Sequence, residues 1–171
     1  MGKSLEQVTI LTNPDFKYWS QIIPAMVETE DWAFVDEDYI TWKNSFEKFW
    51  LFTAIDKDTD ETVGSITLAF DRSISGDDEC YYVGMFYVRE EWRGSGVGVA
   101  LFDKVMEIGR NSNMTLHGVL KMSPKYAAKY GFDKMPNYKH VFASVPTEHL
   151  VIPEADPQYI LKVGFLRNKC K

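Results

Sequence analysis

Residues 90–105 read EEWRGSGVGVALFDKV and contain the most informative turn of the chain. Three glycines, Gly94, Gly96 and Gly98, fall within five positions, and an apolar pattern with helical spacing follows directly. The first turn of a helix has N–H groups without internal partners and carries partial positive charge, so it attracts anions. Glycines let an anion approach closely, and we expect Gly96 and Gly98 in conformations closed to other residues. The alternative is that the glycines only redirect the chain from a strand into a helix.

The segments on both sides of this turn have clear periodicities. Residues 79–88, ECYYVGMFYV, are the strongest strand candidate, and their nearly continuous apolar content indicates that both faces are covered. Residues 97–110 predict an amphipathic helix, because charged residues fall largely opposite an apolar face. That apolar face has one row with two residues beside it: Val97, Leu101, Val105 and Ile108, with Phe102 and Met106.

Two other phosphate-binding turns are excluded by their spacing. A P-loop has a Lys-Ser or Lys-Thr pair after its last glycine, but Val99 and Ala100 stand there. A dinucleotide fingerprint beginning at Gly94 or Gly96 would place its third small residue at Val99 or Leu101, and neither residue fits. The spacing that remains is R-x-x-G-x-G, counted from Arg93.

The front of the chain predicts one strand, two helices and a hairpin. Residues 7–12 alternate as a strand, and residues 16–27 form an amphipathic helix with a possible kink at Pro24. A second helix over 36–46 carries acidic residues in its first turn, where the helix dipole favours them. Strand candidates at 50–56 and 62–71 are separated by the polar turn DKDTDE and predict the hairpin.

The back of the chain predicts further strands around one short helix. The strand candidates cover residues 114–120, 141–145 and 159–166, with a polar tail over 146–157. Ser123 is expected to cap a helix that ends at Gly131. Strands and helices that alternate after an antiparallel hairpin imply an α/β (α+β) fold, with a mixed, mostly antiparallel sheet flanked by helices.

Composition limits the class of protein. With 171 residues and 45% hydrophobic residues, we expect a single domain over 1–171, with a core over 5–145 and a tail over 146–171. No apolar run is long enough for a membrane helix and residues 1–10 are too polar for a secretion signal, so a cytoplasmic or nuclear protein is expected. The net charge of -6 argues against a nucleic-acid partner.

Metal and disulfide sites are not expected. Cys80 and Cys170 lie far apart, and His117, His140 and His149 show no metal-ligand spacing. His117 falls within the predicted strand over 114–120, where it is expected to cap or pack.

The central segment resembles the GNAT acyltransferase superfamily. Arg93, Gly96 and Gly98 match its R/Q-x-x-G-x-G/A signature, and EEWRGSGVG is similar to the usual lead-in PEYRGKGIG. The preceding strand ends at Phe86-Tyr87-Val88, and KYAAKYGF resembles the closing helix that ends in Gly-Phe. The order of elements also fits, and the close match spans residues 79–132.

This resemblance implies an N-acetyltransferase that moves an acetyl group from acetyl-CoA, a co-substrate, directly to an amine of a small molecule or a protein. The pantetheine arm would run beside the end of the long strand, where an N–H near Phe86 polarises the thioester carbonyl. The diphosphate would bind the turn after that strand. The implied coenzyme-binding residues are Phe86, Tyr87, Val88, Arg93, Gly94, Ser95, Gly96, Val97 and Gly98.

The implied catalytic residues depart from the family's pattern. The family's base glutamate, eleven positions before the arginine, corresponds to Tyr82, and Glu79 lies three residues earlier. The family's acid tyrosine corresponds to Ala127, so Tyr126 takes that role only with a shift of one residue. Leu120 stands where an asparagine is frequent. For each tyrosine, packing with the hydroxyl outside is an equally good interpretation.

The acceptor site is expected between the first two helices and the long strand. Aromatic residues there either line that site or pack in the core: Trp32, Phe34, Tyr39 and Trp42. Acidic residues nearby either steer a cationic amine toward the site, or they only complement the charge at the helix starts and keep the protein soluble. Two other functions stay open, namely a domain that binds acyl-CoA without catalysis and a protein whose turn binds another anion.

Overall fold

A computed structural model describes residues 2–134 and 145–151 of the chain. The chain separates into two compact units, Met1–Pro136 and Asn137–Lys171. In the second unit the described residues contain a single 3₁₀ turn, Thr147–His149. The strands predicted over 141–145 and 159–166 lie outside the described residues, apart from Val145.

The described residues form a five-stranded sheet in the order β1-β2-β3-β4-β5. Strands β1 to β4 pair antiparallel, and β5 pairs parallel with β4, so the mixed, mostly antiparallel sheet is confirmed. The strands are β1 Val8–Thr12, β2 Lys48–Asp56, β3 Thr62–Arg72, β4 Glu79–Val88 and β5 Met114–Leu116.

Strand β5 is shorter than the predicted 114–120. The carbonyl of Val119 accepts N–H bonds from Met122 at 2.9 Å and Ser123 at 3.1 Å. This segment is therefore a turn that leads into the next helix, and it cannot continue the ladder with β4.

Four helices flank the sheet in the described part: α1 Phe16–Glu30, α2 Glu37–Ser45, α3 Val97–Gly109 and α4 Ser123–Tyr130. Helix α1 continues through Pro24 beyond its predicted end and stops before Asp31, whose φ is 55°. Gly131 ends α4 with a φ of 78°, as predicted. The N-cap of α4 is Met122, because Ser123 is already helical and its Oγ donates to the carbonyl of Val119 at 3.2 Å.

Helix α3 packs on one face of the sheet and forms what we call the α3-side cluster. Its buried residues are Val97, Leu101, Phe102, Val105 and Met106, with Gly109 at the end. Ile108, which the sequence placed in the apolar row, is 38% exposed and does not belong to this buried face. The apolar row continues at a spacing of four to Gly109, which lies against Met114.

Helix α1 packs on the opposite face and forms the α1-side cluster. The helix contributes Trp19, Ile22, Ile23 and Met26, and the sheet contributes Leu51, Met85 and Tyr87. The second half of β4 is therefore covered on both faces, as its apolar sequence predicted. Its first half is more exposed, with Glu79 and Tyr82 at the surface.

A β-bulge in β4 decides which of its residues face each cluster. Thr67 pairs with Gly84 and Ser65 pairs with Tyr87, so β4 contains one extra residue between these pairs. Met85 lies in this bulge with a φ of 47°. The extra residue reverses the alternation of side chains, so that Phe86, like Val83, packs with the α3-side cluster, whereas Met85 and Tyr87 pack with the α1-side cluster.

Candidate active site

A cavity of about 820 Å³ opens between β4, α3 and α4. Strand β4 lines it along 83–88, and the glycine turn lines it with Arg93, Gly94, Gly96 and Gly98. Helix α4 and the turn before it contribute basic and aromatic side chains: Lys121, Met122, Lys125, Tyr126, Lys129 and Tyr130. The cavity therefore joins the strand and the turn that the sequence singled out.

The edge of β4 is open where it faces the cavity. Strand β5 pairs only with Tyr81–Val83 of β4, so in the described part no strand covers 84–88 on that edge. On its other edge, the bulge turns the carbonyl of Met85 toward Ser65, whose Oγ donates to it at 3.3 Å. An extended ligand can therefore add to β4 through main-chain hydrogen bonds.

The turn before α3 has the left-handed conformations that glycine adopts most readily. Gly94 has a φ of 86°, and Gly96, the N-cap of α3, has a φ of 92°. The first helical bond runs from the N–H of Ala100 to the carbonyl of Gly96 at 3.0 Å. Within residues 2–134, the N–H groups of Gly94, Gly96 and Gly98 have no acceptor, so the turn presents unpaired donors to the cavity.

Gly98 is needed for a different reason from the one predicted. Its φ is not positive, and a Cβ there would lie 3.3 Å from Cζ of Phe86 and 3.4 Å from Cγ2 of Val88. Its lack of a side chain therefore lets α3 approach β4. The residues between the glycines turn away from the cavity, because Ser95 Oγ donates to the carbonyl of Trp92 at 2.6 Å and Val97 is buried in the core.

Arg93 is held at the end of β4 by two hydrogen bonds. Its Nε donates to the carbonyl of Val88 at 3.0 Å, and its Nη2 donates to Oε1 of Glu30 at 2.7 Å. The guanidinium carbon also lies 5.8 Å from the ring centroid of Tyr87. Arg93, one of the implied coenzyme-binding residues, is thus paired with a carboxylate at the end of α1.

Tyr126 is a cavity residue whose side chain is largely buried. Its ring stacks on Phe102 with centroids 5.7 Å apart and lies 6.3 Å from the ring of Phe86. Burial, and secondarily the neighbouring Tyr130, raise the pKa of the Tyr126 phenol above its ordinary value. The hydroxyl therefore stays protonated at neutral pH and is able to donate a proton.

The two other catalytic candidates lie outside the cavity lining. Tyr82 is 41% exposed, and its ring lies 6.0 Å from that of Phe46. Burial of the phenol, and secondarily Cys80 and Asp71, raise the pKa of Tyr82. Glu79, the first residue of β4, accepts a hydrogen bond from Ser112 Oγ at 3.4 Å and lies roughly 23 Å along the strand from Phe86.

Among the four aromatic residues proposed near the acceptor, Trp32 lines the cavity. The other three pack against the α1-side cluster, which was the alternative for them. Trp42 meets Trp19 edge-on at 5.7 Å and Phe34 at 5.6 Å. These ring contacts hold α2 and the segment between α1 and α2 against α1.

Several cavity residues were not singled out as functional from the sequence. His117 lines the cavity and lies after β5, not within a strand. Lys125 and Lys129 lie one turn apart on α4, and Lys121 lies in the turn before it. The spacing of four residues between these lysines would have indicated a basic rim.

The described residues show no features of a membrane-spanning helix or a metal site. None of the helices there is both long and apolar enough to cross a membrane. Likewise, residues 2–134 and 145–151 contain no group of three or more His, Cys, Asp or Glu side chains able to hold a metal ion.

Comparison with known structures supports the fold. The chain is similar to a predicted acetyltransferase with acetyl-CoA from Clostridium acetobutylicum, with 17% identity, a TM-score of 0.57, and coverage of 79% of this chain and 96% of that one. It is similar to glucosamine-6-phosphate N-acetyltransferase from Arabidopsis thaliana, with 9% identity, a TM-score of 0.59, and coverage of 81% and 99%.

A third similar structure is an aminoglycoside acetyltransferase from an uncultured soil metagenomic sample, in complex with trehalose. It shares 13% identity with a TM-score of 0.59, and the match covers 83% of this chain and 97% of that one. No curated protein sequence matches the chain. The sequence profile of the Acetyltransferase (GNAT) family matches residues 12–132. This range contains strands β2 to β5 and helices α1 to α4, together with the last residue of β1. The chain belongs to the GNAT acetyltransferase family.

Proposed function

We propose that this protein is an N-acetyltransferase that transfers an acetyl group from acetyl-CoA directly to an amine. One observation carries the proposal: the open edge of β4 and the unpaired N–H groups before α3 line the same cavity. Coenzyme A combines an extended amide-bearing arm with a diphosphate. The arm suits an uncovered strand edge, and the diphosphate suits the beginning of a helix.

The chain's own groups would divide the work as follows. The N–H groups of Gly94, Gly96 and Gly98 bind the diphosphate, while the edge of β4 over 84–88 aligns the pantetheine arm. A main-chain N–H near Phe86 hydrogen-bonds the thioester oxygen and stabilises the negative charge that develops there. The bulge at Met85 supports this role, since it interrupts the pairing of β4 with β3 at that point.

Tyr126 is the proposed general acid. As the amine nitrogen forms its bond to the acyl carbon, the carbon–sulfur bond breaks, and the phenol gives its proton to the leaving thiolate. The amine must lose a proton as well, because an amine of lysine type has a pKa near about 10.4 and is mostly protonated at neutral pH. We assign that proton to water in the cavity, since Tyr82 and Glu79 lie outside its lining.

The acceptor is proposed to be a small molecule or a protein that carries a primary amine. Two of the similar structures are named for glucosamine 6-phosphate and for aminoglycosides, and both substrates carry amines. Trp32, which follows α1, lines the cavity, and we place the acceptor between this residue and β4.

Thermal unfolding with ligands tests coenzyme binding. A ligand present at about a hundred times its dissociation constant adds about 2.7 kcal/mol of stability. Acetyl-CoA should therefore raise the melting temperature, whereas NAD and ATP at the same concentration should not. No shift with acetyl-CoA would contradict the proposal.

A second candidate is a domain that binds acyl-CoA without catalysis, because the base candidates Tyr82 and Glu79 do not line the cavity. Release of free thiol from acetyl-CoA, measured with a panel of amines, separates the two. Continuous thiol release that requires an amine supports the enzyme. Coenzyme binding without turnover across the panel would favour the binding domain.

A further inference from the structure

An ion pair joins the end of α1 to the beginning of the glycine turn. Arg93 Nη2 lies 2.7 Å from Oε1 of Glu30, and the side chains are 44% and 21% exposed. Glu30 is the carboxylate among the residues that line the cavity, and the cations there are Arg93 and the lysines around α4. The guanidinium nearest the unpaired N–H groups is therefore neutralised in the free protein.

The position of Glu30 is fixed by contacts between α1 and β4. The hydroxyl of Tyr87 hydrogen-bonds Thr29 Oγ1 at 2.9 Å and the carbonyl of Ala25 at 3.5 Å. Tyr87 is only 4% exposed, so these bonds anchor the last turn of α1 to the sheet. Glu30 is thus held beside Arg93 by the fold and not only by its own charge.

This arrangement sets two anions against each other. The turn attracts a phosphate through its N–H groups, but the carboxylate of Glu30 occupies Arg93, the guanidinium beside that turn. Coenzyme A carries about four negative charges, two on its diphosphate and nearly two on its ribose phosphate. When the diphosphate binds the turn, it competes with the single charge of Glu30 for the same guanidinium.

We propose that Glu30 competes with the diphosphate of coenzyme A for Arg93, so that binding of the coenzyme releases a carboxylate into the cavity beside Trp32. This inference rests on the proposed function, because it requires the glycine turn to bind the coenzyme. It makes Glu30 a positioning residue that weakens coenzyme binding, because its carboxylate must leave Arg93 before the diphosphate can contact the guanidinium.

Calorimetric titration with coenzyme A tests this competition. In Glu30→Gln we expect coenzyme A to bind about three- to fivefold tighter, which corresponds to the loss of a partly exposed ion pair. The matched control is Glu28→Gln, which removes the same charge from an exposed position on the same helix and should change the affinity little. In an Arg93→Gln background, Glu30→Gln should give no gain, because the effect acts through Arg93.

The outcomes separate this inference from the proposed function. Tighter binding that disappears in the Arg93→Gln background supports the competition, and a purely structural role for Glu30 would give weaker binding instead. Equal or weaker binding by Glu30→Gln, in a protein that otherwise binds coenzyme A, overturns the inference alone. If the unaltered protein does not bind coenzyme A, the proposed function fails and the inference fails with it. Glu30→Ala serves as a second variant if Glu30→Gln does not fold.

Discussion

The three glycines of the central turn carry different physical requirements. Gly94 and Gly96 have positive φ angles, whereas Gly98 gives α3 room against Phe86 and Val88. A side chain at Gly96 would meet only Cβ of Leu5, at 3.8 Å, so space is not what restricts this position. The backbone conformation is the restriction, and it also directs the N–H groups.

Gly96→Ala is therefore expected to weaken coenzyme A binding by about tenfold or more, because the turn must leave its left-handed conformation or become strained by about 1–2 kcal/mol. Gly76→Ala is the matched control. Gly76 also has a positive φ, 79°, with nothing near its missing Cβ, but it lies in the β3–β4 loop away from the cavity. Calorimetry should show weaker binding only in Gly96→Ala, whereas the melting temperature should fall by a similar amount in both variants. Unchanged affinity in Gly96→Ala would contradict the placement of the diphosphate.

Tyr126→Phe is expected to lower kcat by about a hundredfold while coenzyme affinity stays within about twofold, since it removes a proton donor and keeps the ring. Tyr82→Phe should leave both quantities unchanged. The pKa of Tyr126 is raised above the ordinary value of 10.0, so deprotonation of its hydroxyl should not lower the rate of the unaltered protein between about pH 7 and pH 9. Steady-state rates across that range measure this. A slow Tyr82→Phe with a normal Tyr126→Phe would reverse the assignment.

At the scale of elements, the helices and strands with a regular spacing of apolar residues could be predicted from the sequence. The hairpin, the long strand and α3 were predicted to within a few residues, because each repeats apolar residues at a strand or helix spacing. The bulge at Met85 was not predicted, since methionine gives no signal for a positive φ. The sequence of β4 therefore did not show where the alternation of its side chains reverses.

Contacts between distant elements were also outside the reach of the sequence. The glycine turn could be predicted as an anion site from local chemistry alone. The partner of Arg93 is Glu30, 63 residues earlier, and no local pattern links them. The strand over 114–120 was predicted too long for a similar reason, because the turn that ends β5 depends on bonds with residues at the beginning of α4.

Lys3 links Asp56, at the end of β2, to Trp92, the residue before Arg93. The carboxylate of Asp56 accepts the N–H of Asp58 at 3.0 Å and pairs with Lys3 at 3.3 Å. Lys3 Nζ in turn lies 4.4 Å from the ring of Trp92, directly before Arg93. The N–H of Asp58, and secondarily Lys3, hold the pKa of Asp56 below its ordinary value of 3.8.

Asp56→Asn should therefore lower the free energy of unfolding by about 1–2 kcal/mol near neutral pH. Because the pKa of Asp56 is lowered in the folded state, its contribution is present above the ordinary value of 3.8 and is lost as the pH falls below it. Urea unfolding should thus show a difference in the free energy of unfolding between the unaltered protein and Asp56→Asn that is smaller near pH 3 than near pH 7. Asp58→Asn, which keeps the main-chain N–H, is the control. A difference independent of pH would rule out the carboxylate as its source.

At the scale of the whole molecule, charge is distributed unevenly. The chain carries a net charge of -6, yet the cavity is lined by Arg93 and three lysines against one carboxylate. None of these lysines has an ion-pair partner within residues 2–134. An acidic protein with an unpaired basic rim around one cavity is arranged to attract an anionic ligand there and to repel it elsewhere.

The double variant Lys125→Gln, Lys129→Gln should accordingly weaken coenzyme A binding by about five- to tenfold at low salt, because it removes two of the unpaired cations from the rim. Raising the salt from about 50 to 300 mM should weaken binding by the unaltered protein more than by the variant, since screening acts on the charges that were removed. Lys104→Gln is the matched control, because Lys104 pairs with Glu107 at 2.9 Å on the exposed side of α3 and does not line the cavity. Calorimetric titrations at both salt concentrations measure these differences. If all three proteins respond equally to salt, the rim does not attract the coenzyme, and its binding depends on the main-chain donors of the glycine turn.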